Sequence, residues 1–463
     1  MHTLEQLRAG ELAGSRRLDL SCGLTEFPAE IFDLADSLEI LNLSGNQLSS
    51  LPDDLGRLHK LRILFCSDNR FTEVPASVGQ CPQLSMVGFK ANKIQTLPAA
   101  ALTPALRWLI LTDNELRTLP DELGHCQHLQ KLMLAGNHLT GLPATMAACT
   151  QLELLRIADN EFQELPAWLL TLPRLSWLAY AGNPFCDTLE AAILAEHPIN
   201  SIDWQELIVQ QQLGEGASGV IYKAQWQRPG EAAHDVAVKL FKGAVTSDGL
   251  PHSEMAACIS AGAHPNLIAV KGKIIRHPQQ AEGLVLELID PTYGNLAGPP
   301  SFTTCTRDVY AEGTTFRPEE ALRLAYGIAA AAQHLHTRGI LHSDLYAHNI
   351  LTHPDGSSLL GDFGAACFFD VHQPEVAHAL QRLEVRAFGC LLEELLERTP
   401  AAGVATADLQ ALQQRCVAPR PEMRPLFAEI QQELAQLLAL SRGSVPPLVR
   451  ASLQTGLANQ RNG

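Results

Sequence analysis

Apolar positions along the first two-fifths of the chain follow a frame, L-x-x-L-x-L-x-x-N-x-L-x-x-L-P, that returns every 22 or 23 residues. Its asparagines are Asn46, Asn69, Asn92, Asn114, Asn137, Asn160 and Asn183. Leu38, Leu41, Leu43, Asn46, Leu48, Leu51 and Pro52 show the frame complete, and Leu129, Leu132, Leu134, Asn137, Leu139, Leu142 and Pro143 repeat it. An eighth, N-terminal copy runs through Leu18, Leu20, Leu24, Phe27 and Pro28, one residue out of register, with Cys22 near the asparagine place. Each L-x-L predicts a short strand whose alternate side chains point inward. The Asn side chain can satisfy backbone groups where the chain leaves that strand. The later leucines fill the interior, and the proline opens the return segment. One such unit cannot bury its own apolar face, so the copies must stack.

Period, asparagines and leucines together resemble the leucine-rich-repeat family over residues 15–186, which implies an α/β solenoid. Residues 1–14 would cap one end. Asp187–Asn200, within a cap and linker of residues 187–203, would cap the other. The positions between the core leucines face out on the concave sheet and include Phe65, Trp108, Ile110, Met133, Arg156 and Trp177. Aromatic residues left on such a surface point to a protein contact. The face should bind a protein ligand or dock onto the chain's own second domain, with Trp108 and Trp177 as the anchors.

The period stops near Ile202-Asp203-Trp204, and a different pattern begins. Leu213-Gly214-Glu215-Gly216-Ala217-Ser218-Gly219 holds G-x-G-x-x-G, and Val220 to Ala224 then alternates as a strand does. A dinucleotide-binding fold needs a helix there, so the glycines read as a hairpin whose amides cover phosphates. Val236-Ala237-Val238-Lys239 follows, holding one lysine at a fixed depth.

From here to about residue 435 the chain resembles the protein kinase family, an α+β bilobal fold. The resemblance implies that Lys239 reaches the ATP phosphates and that Glu254 on the following helix is its partner. Leu213, Gly214, Gly216, Gly219, Ile221, Ala237, Glu287 and Leu288 would surround the nucleotide, with Leu286 at the entry to a back pocket. Ala321 to His336 reads as an apolar helix. His342-Ser343-Asp344-Leu345-Tyr346-Ala347-His348-Asn349 resembles the catalytic loop and Gly361-Asp362-Phe363-Gly364 the metal-binding motif. By that resemblance Asp344 orients the substrate hydroxyl and accepts its proton. Asn349 and Asp362 hold Mg²⁺, and His342 packs behind the metal motif. Glu384 would open a buried helix. Pro421 to Phe427 matches the closing Arg-Pro motif. The lead-in Ile202-Asp203-Trp204 with Gln225-Trp226 points to the tyrosine-kinase-like group, and Ser or Thr is the favoured acceptor.

Departures from the pattern matter as much. Ser343 stands where most kinases carry Arg, Tyr346 replaces a common Lys and His348 a common Arg. Between Ala365 and Glu384 there is no Ser, Thr or Tyr, and Pro374-Glu375 is the only candidate for the loop's closing pair, with Glu375 then meeting Arg424. Activity should therefore not require a phosphate on this loop, because acceptor and receptor are both missing. The segment Pro291–Phe316 and the short stretch Thr399–Gln414 are also unusual.

Composition narrows the picture further. The net charge of −16 is spread over both parts, so no nucleic-acid partner is implied. The eleven cysteines are scattered, without C-x-x-C, and read as reduced thiols of a cytoplasmic protein. No membrane span is expected. The expected organisation is a cap over residues 1–14, about eight repeats over 15–186, cap and linker over 187–203, a kinase domain over 204–440 and a tail over 441–463. The expected function is an ATP- and Mg²⁺-dependent protein kinase with a recognition or regulatory repeat domain. The alternative is a nucleotide-binding pseudokinase scaffold.

Overall fold

The computed structural model describes residues 2–196, 199–216, 218–242, 246, 248–400 and 404–441. Ala217 of the glycine hairpin and residues 442–463 of the expected tail lie outside the described residues.

Eight three-residue strands form one parallel sheet in chain order: β1 (Arg17–Asp19), β2 (Ile40–Asn42), β3 (Ile63–Phe65), β4 (Met86–Gly88), β5 (Trp108–Ile110), β6 (Lys131–Met133), β7 (Leu154–Arg156) and β8 (Trp177–Ala179). The middle residue of each points inward, so Leu41, Leu64, Leu132 and Leu155 are fully buried. The asparagines form a ladder. Asn137 donates from Nδ2 to the carbonyls of Leu111 and Leu134, both at 2.9 Å, and accepts from the Leu116 amide at 3.0 Å. That closes backbone groups of two adjacent repeats which have no helix or sheet partner. Short 3₁₀ turns follow Pro28, Pro75, Pro98, Pro120, Pro143 and Pro166 on the other face. Gly88 has a packing reason: a Cβ there would lie 2.6 Å from the Phe65 ring.

A short helix, α1 (Leu4–Arg8), opens the chain, and α2 (Pro184–Glu196) follows the last repeat. α2 leads into β9 (Ser201–Asp203), which joins the second domain's sheet rather than standing apart as a linker. That sheet runs in the order β10 (Leu207–Glu215), β11 (Gly219–Trp226), β12 (His234–Phe241), β14 (Gly283–Glu287), β13 (Val270–Ile275), β9. α3 (Pro251–Ala261) covers it. The second lobe is built on α4 (Pro318–Thr337), α5 (Pro374–Glu397), α6 (Val404–Cys416) and α7 (Phe427–Ser441).

Two expectations are corrected here. The buried helix α5 starts at Pro374, not Glu384, so Pro374-Glu375 forms its first turn rather than the end of a loop. Proline suits that position because its missing N–H has no helical partner there. Arg424 does not meet Glu375. Its buried guanidinium donates to the carbonyls of Ala418 at 3.0 Å, Arg382 at 3.1 Å and Pro173 at 2.7 Å. Pro173 belongs to the repeats, so this guanidinium ties the two domains together. Burial lowers the Arg424 pKa to about 10.

The two domains share their cores. Leu341, Ala365, Cys367, Phe369, Ala377, Leu380 and Leu383 of the second domain belong to the solenoid's apolar cluster. Met133, Leu154 and Trp177 of the solenoid belong to that of the second domain. Trp177 stacks on Tyr346 with ring centroids 4.2 Å apart, and its Nε1 donates to the Leu345 carbonyl at 3.1 Å. Tyr180 donates its hydroxyl to the Phe368 carbonyl at 3.0 Å, and Arg386 donates to the Ser176 hydroxyl at 2.6 Å. Phe302, from the unusual segment before α4, packs between Phe65 at 5.7 Å and Trp108 at 6.4 Å.

Candidate active site

The glycine hairpin joins β10 to β11, and β12 carries Lys239 out of an apolar stretch towards the cleft. α3 places Glu254 in its first turn, where the Lys239 Nζ meets Glu254 Oε1 in an ion pair that is buried on the glutamate side. Burial works against the Lys239 ammonium, but the carboxylate beside it outweighs that and holds its pKa above the ordinary value.

Below them lies the loop carrying Asp344 and Asn349, after the two-residue strand β16 (Ile340–Leu341). Asn349 Nδ2 donates to the Asp344 backbone carbonyl at 3.0 Å and to Asp344 Oδ2 at 2.7 Å. His342 sits behind, its Nε2 2.8 Å from the Gly361 carbonyl and its ring centroid 5.1 Å from that of Phe363. Glu384, buried in the middle of α5, accepts from the Ser343 amide at 2.7 Å and pairs with His336 at 2.6 Å. Ser343 at φ 62° and Asp362 at φ 55° both hold left-handed backbone, which non-glycine residues adopt at a cost. The loop before α3 closes against the segment of Asp362 and Gly364: a Cβ on Gly249 would lie 2.8 Å from the Gly364 carbonyl.

A cavity of about 210 Å³ opens between the lobes. Gly216, Gly219, Ile221, Lys239, Glu254 and Asp362 line it among others. Leu213, Gly214, Ala237, Glu287 and Leu288 of the expected nucleotide set lie outside its wall. Leu213 is 49% exposed and Glu287 pairs with Lys271 at 3.1 Å.

The donor set suits a divalent cation. Asp362 Oδ1 receives the Gly364 amide at 3.1 Å, and Asn349 spends its Nδ2 on Asp344, which leaves its Oδ1 as an acceptor. One carboxylate and one amide oxygen, completed by phosphates and water, is an ordinary set for a small hard cation.

The sequence marks Arg156 only as an outward position of the concave sheet. It is fully buried here, and its guanidinium is divided among three acceptors of the second domain. Nη2 pairs with Asp344 Oδ1, Nη1 donates to the Ser343 carbonyl at 3.1 Å, and Nε donates to Asp248 Oδ1 at 3.1 Å. Burial tends to raise the Asp344 pKa, yet Arg156, with His348 and His342, outweighs it and holds the carboxyl below its usual value. At Asp248 burial wins, and the pKa is raised despite Arg156. The sequence signal was slight: a lone cation after Ile110 and Met133 in the same outward slot.

Comparison with known proteins agrees with this geometry. Residues 207–387 match the protein tyrosine and serine/threonine kinase family, and residues 37–58 and 82–139 match leucine-rich-repeat families. The chain is similar to fibroblast growth factor receptor 1 of Xenopus laevis, 25% identical over 56% of this chain and 38% of the relative. It is also similar to the Probable serine/threonine-protein kinase gdt4 of Dictyostelium discoideum, 27% identical over 36% of this chain and 9% of the relative. The chain thus spans well under half the length of these relatives. It joins leucine-rich repeats to a protein kinase domain, a domain class that uses ATP and a divalent metal. Among the described residues no helix is long and apolar enough to cross a membrane.

Proposed function

We propose that the chain transfers the γ-phosphoryl group of ATP to a protein hydroxyl, with Ser or Thr favoured and Mg²⁺ as the metal. The observation that carries this is the convergence of the Lys239–Glu254 pair, Asp362 and the Asn349–Asp344 pair around one cleft. Lys239 holds the phosphates. Asp362 and Asn349 hold Mg²⁺, which neutralises charge on the phosphates when bound. Asp344 aligns the acceptor hydroxyl and takes its proton. Phosphoryl transfer asks mainly for alignment and charge neutralisation, so these few groups suffice. The similarity to a relative named a probable serine/threonine-protein kinase supports the acceptor choice, and the eleven free cysteines support a reducing, cytoplasmic setting.

Asp362→Ala and Lys239→Ala should each lower phosphate incorporation by about 10²–10³-fold or more. Transfer from labelled ATP to casein, followed by phosphoamino-acid analysis, reads both the rate and the acceptor. Wild-type rates in Asp362→Ala would refute the assignment, and a wild type that binds ATP without turnover would make the chain a pseudokinase scaffold. The segment from Ala365 to Glu384 carries no hydroxyl, so phosphatase treatment should leave the initial rate unchanged.

A further inference from the structure

The arginine that most kinases carry beside this aspartate is absent, since Ser343 takes its place. The loop nevertheless has a guanidinium on its aspartate, delivered from another domain. We propose that Arg156 of β7 is a positioning residue of the phosphoryl-transfer site, supplied by the repeat domain to fix Asp344. The inference rests on the kinase reading above.

The geometry is specific. Arg156 takes one oxygen of Asp344 while Asn349 takes the other, so the carboxylate is held from both sides. The Ser343 carbonyl and Asp248 occupy the remaining guanidinium edges, which fixes the plane of the group. Asp248 lies in the loop before α3 and lines the nucleotide cavity, so one arginine ties the catalytic loop to the approach of the lysine's partner helix.

The same contact could instead mark a latch that silences Asp344 until the repeats let go. The surroundings argue for a permanent arrangement. Letting go would draw Trp177 off Tyr346, unpair Tyr180 and Arg386, and open two apolar clusters that span both domains. A surface held by a shared core of that kind resembles a domain interior more than a reversible contact.

The test compares wild type, Arg156→Ala and Arg156→Lys in the full chain. It measures kcat and KM for ATP on casein, the Kd of a non-hydrolysable ATP analogue, and rescue of Arg156→Ala by millimolar guanidinium. Arg156→Ala should lose about 10²-fold in kcat while analogue affinity stays within about threefold, and guanidinium should return part of the rate. A merely structural arginine would show neither the split between kcat and affinity nor the rescue. If Arg156→Ala does not fold, Arg156→Lys decides. It keeps the charge but cannot span three acceptors, and its kcat should fall about tenfold at unchanged KM. An unchanged rate in a folded variant overturns the proposal, and a raised rate overturns it in favour of the latch. A wild type that transfers no phosphate at all sinks the kinase reading, and this inference with it.

Discussion

The two ends of the solenoid obey the same period and meet different fates. At β1 and β2 the outward residues Arg17, Asp19, Ile40 and Asn42 stay at least partly in solvent. Arg17 pairs with Asp19 at 2.7 Å, and Asn42 donates to Asp19 at 3.2 Å. At β7 and β8 the outward residues Leu154, Arg156, Trp177 and Ala179 are buried under the kinase domain. The inward residues hardly differ between the ends. The repeat therefore settles how the solenoid closes on itself, while its outward slots are free to choose a partner. At the C-terminal end that choice is the chain's own loop around Asp344.

The comparison breaks most easily at Trp177. Trp177→Ala removes a buried ring and its hydrogen bond to Leu345 from the shared core, and should cost about 3–5 kcal/mol. Arg17→Ala at the open end should stay within about 0.5 kcal/mol. Urea unfolding of the two variants measures both. Equal costs would mean the kinase domain rests on the repeats without sharing a core with them. The asparagine ladder should sharpen the point, since it runs through both ends alike. Asn46 donates to the Leu20 and Leu43 carbonyls at 2.8 Å and accepts from the Leu24 amide at 3.0 Å, as Asn137 does one domain-half away. Asn46→Ala and Asn137→Ala should each cost about 1–3 kcal/mol by orphaning those groups. A much larger loss at Asn137 would show that the ladder, too, depends on the docked domain.

Much of this was legible along the chain, for physical reasons. The period is visible because each copy must present the same leucines to the next. The segments around Asp344 and Asp362 stand out because their spacing is local. Docking was open from Trp108 and Trp177, whose rings had no place inside the solenoid. What stayed hidden joins positions far apart. Arg156 reaches Asp344 across most of two domains, and no local pattern announces such a partner. The sequence pairs Arg424 with Glu375, because the proline before that glutamate reads as a loop's end. The shortened segment turned that proline into the first turn of α5, and carbonyls of two domains took the guanidinium instead.

A smaller effect than those at Trp177 and the asparagines concerns a proton held where the closed end meets the loop around Asp344. Asp308 is fully buried in its side chain and accepts from His348 twice, from the backbone amide at 2.9 Å and from Nδ1 at 2.8 Å. Burial lowers the His348 pKa, but the hydrogen bond and charge of Asp308 outweigh it and leave the group above its ordinary value of 6.5. The folded chain then binds this proton more tightly than the unfolded one, so stability must fall as pH rises. The contribution is complete below pH 6.5 and is lost as pH climbs through the raised folded value. Asp308→Asn keeps an oxygen for the amide and removes the charge. Its stability should therefore be flatter than wild type above pH 6.5, by no more than about 1 kcal/mol across the range. The open end offers no such histidine on its outward slots, so Asn42→Ala should leave the wild-type slope above pH 6.5 intact, its bond to Asp19 bearing only on the acid range. Parallel slopes in wild type and Asp308→Asn would place the proton elsewhere, and the closed end would then be held by packing and by Arg156 alone.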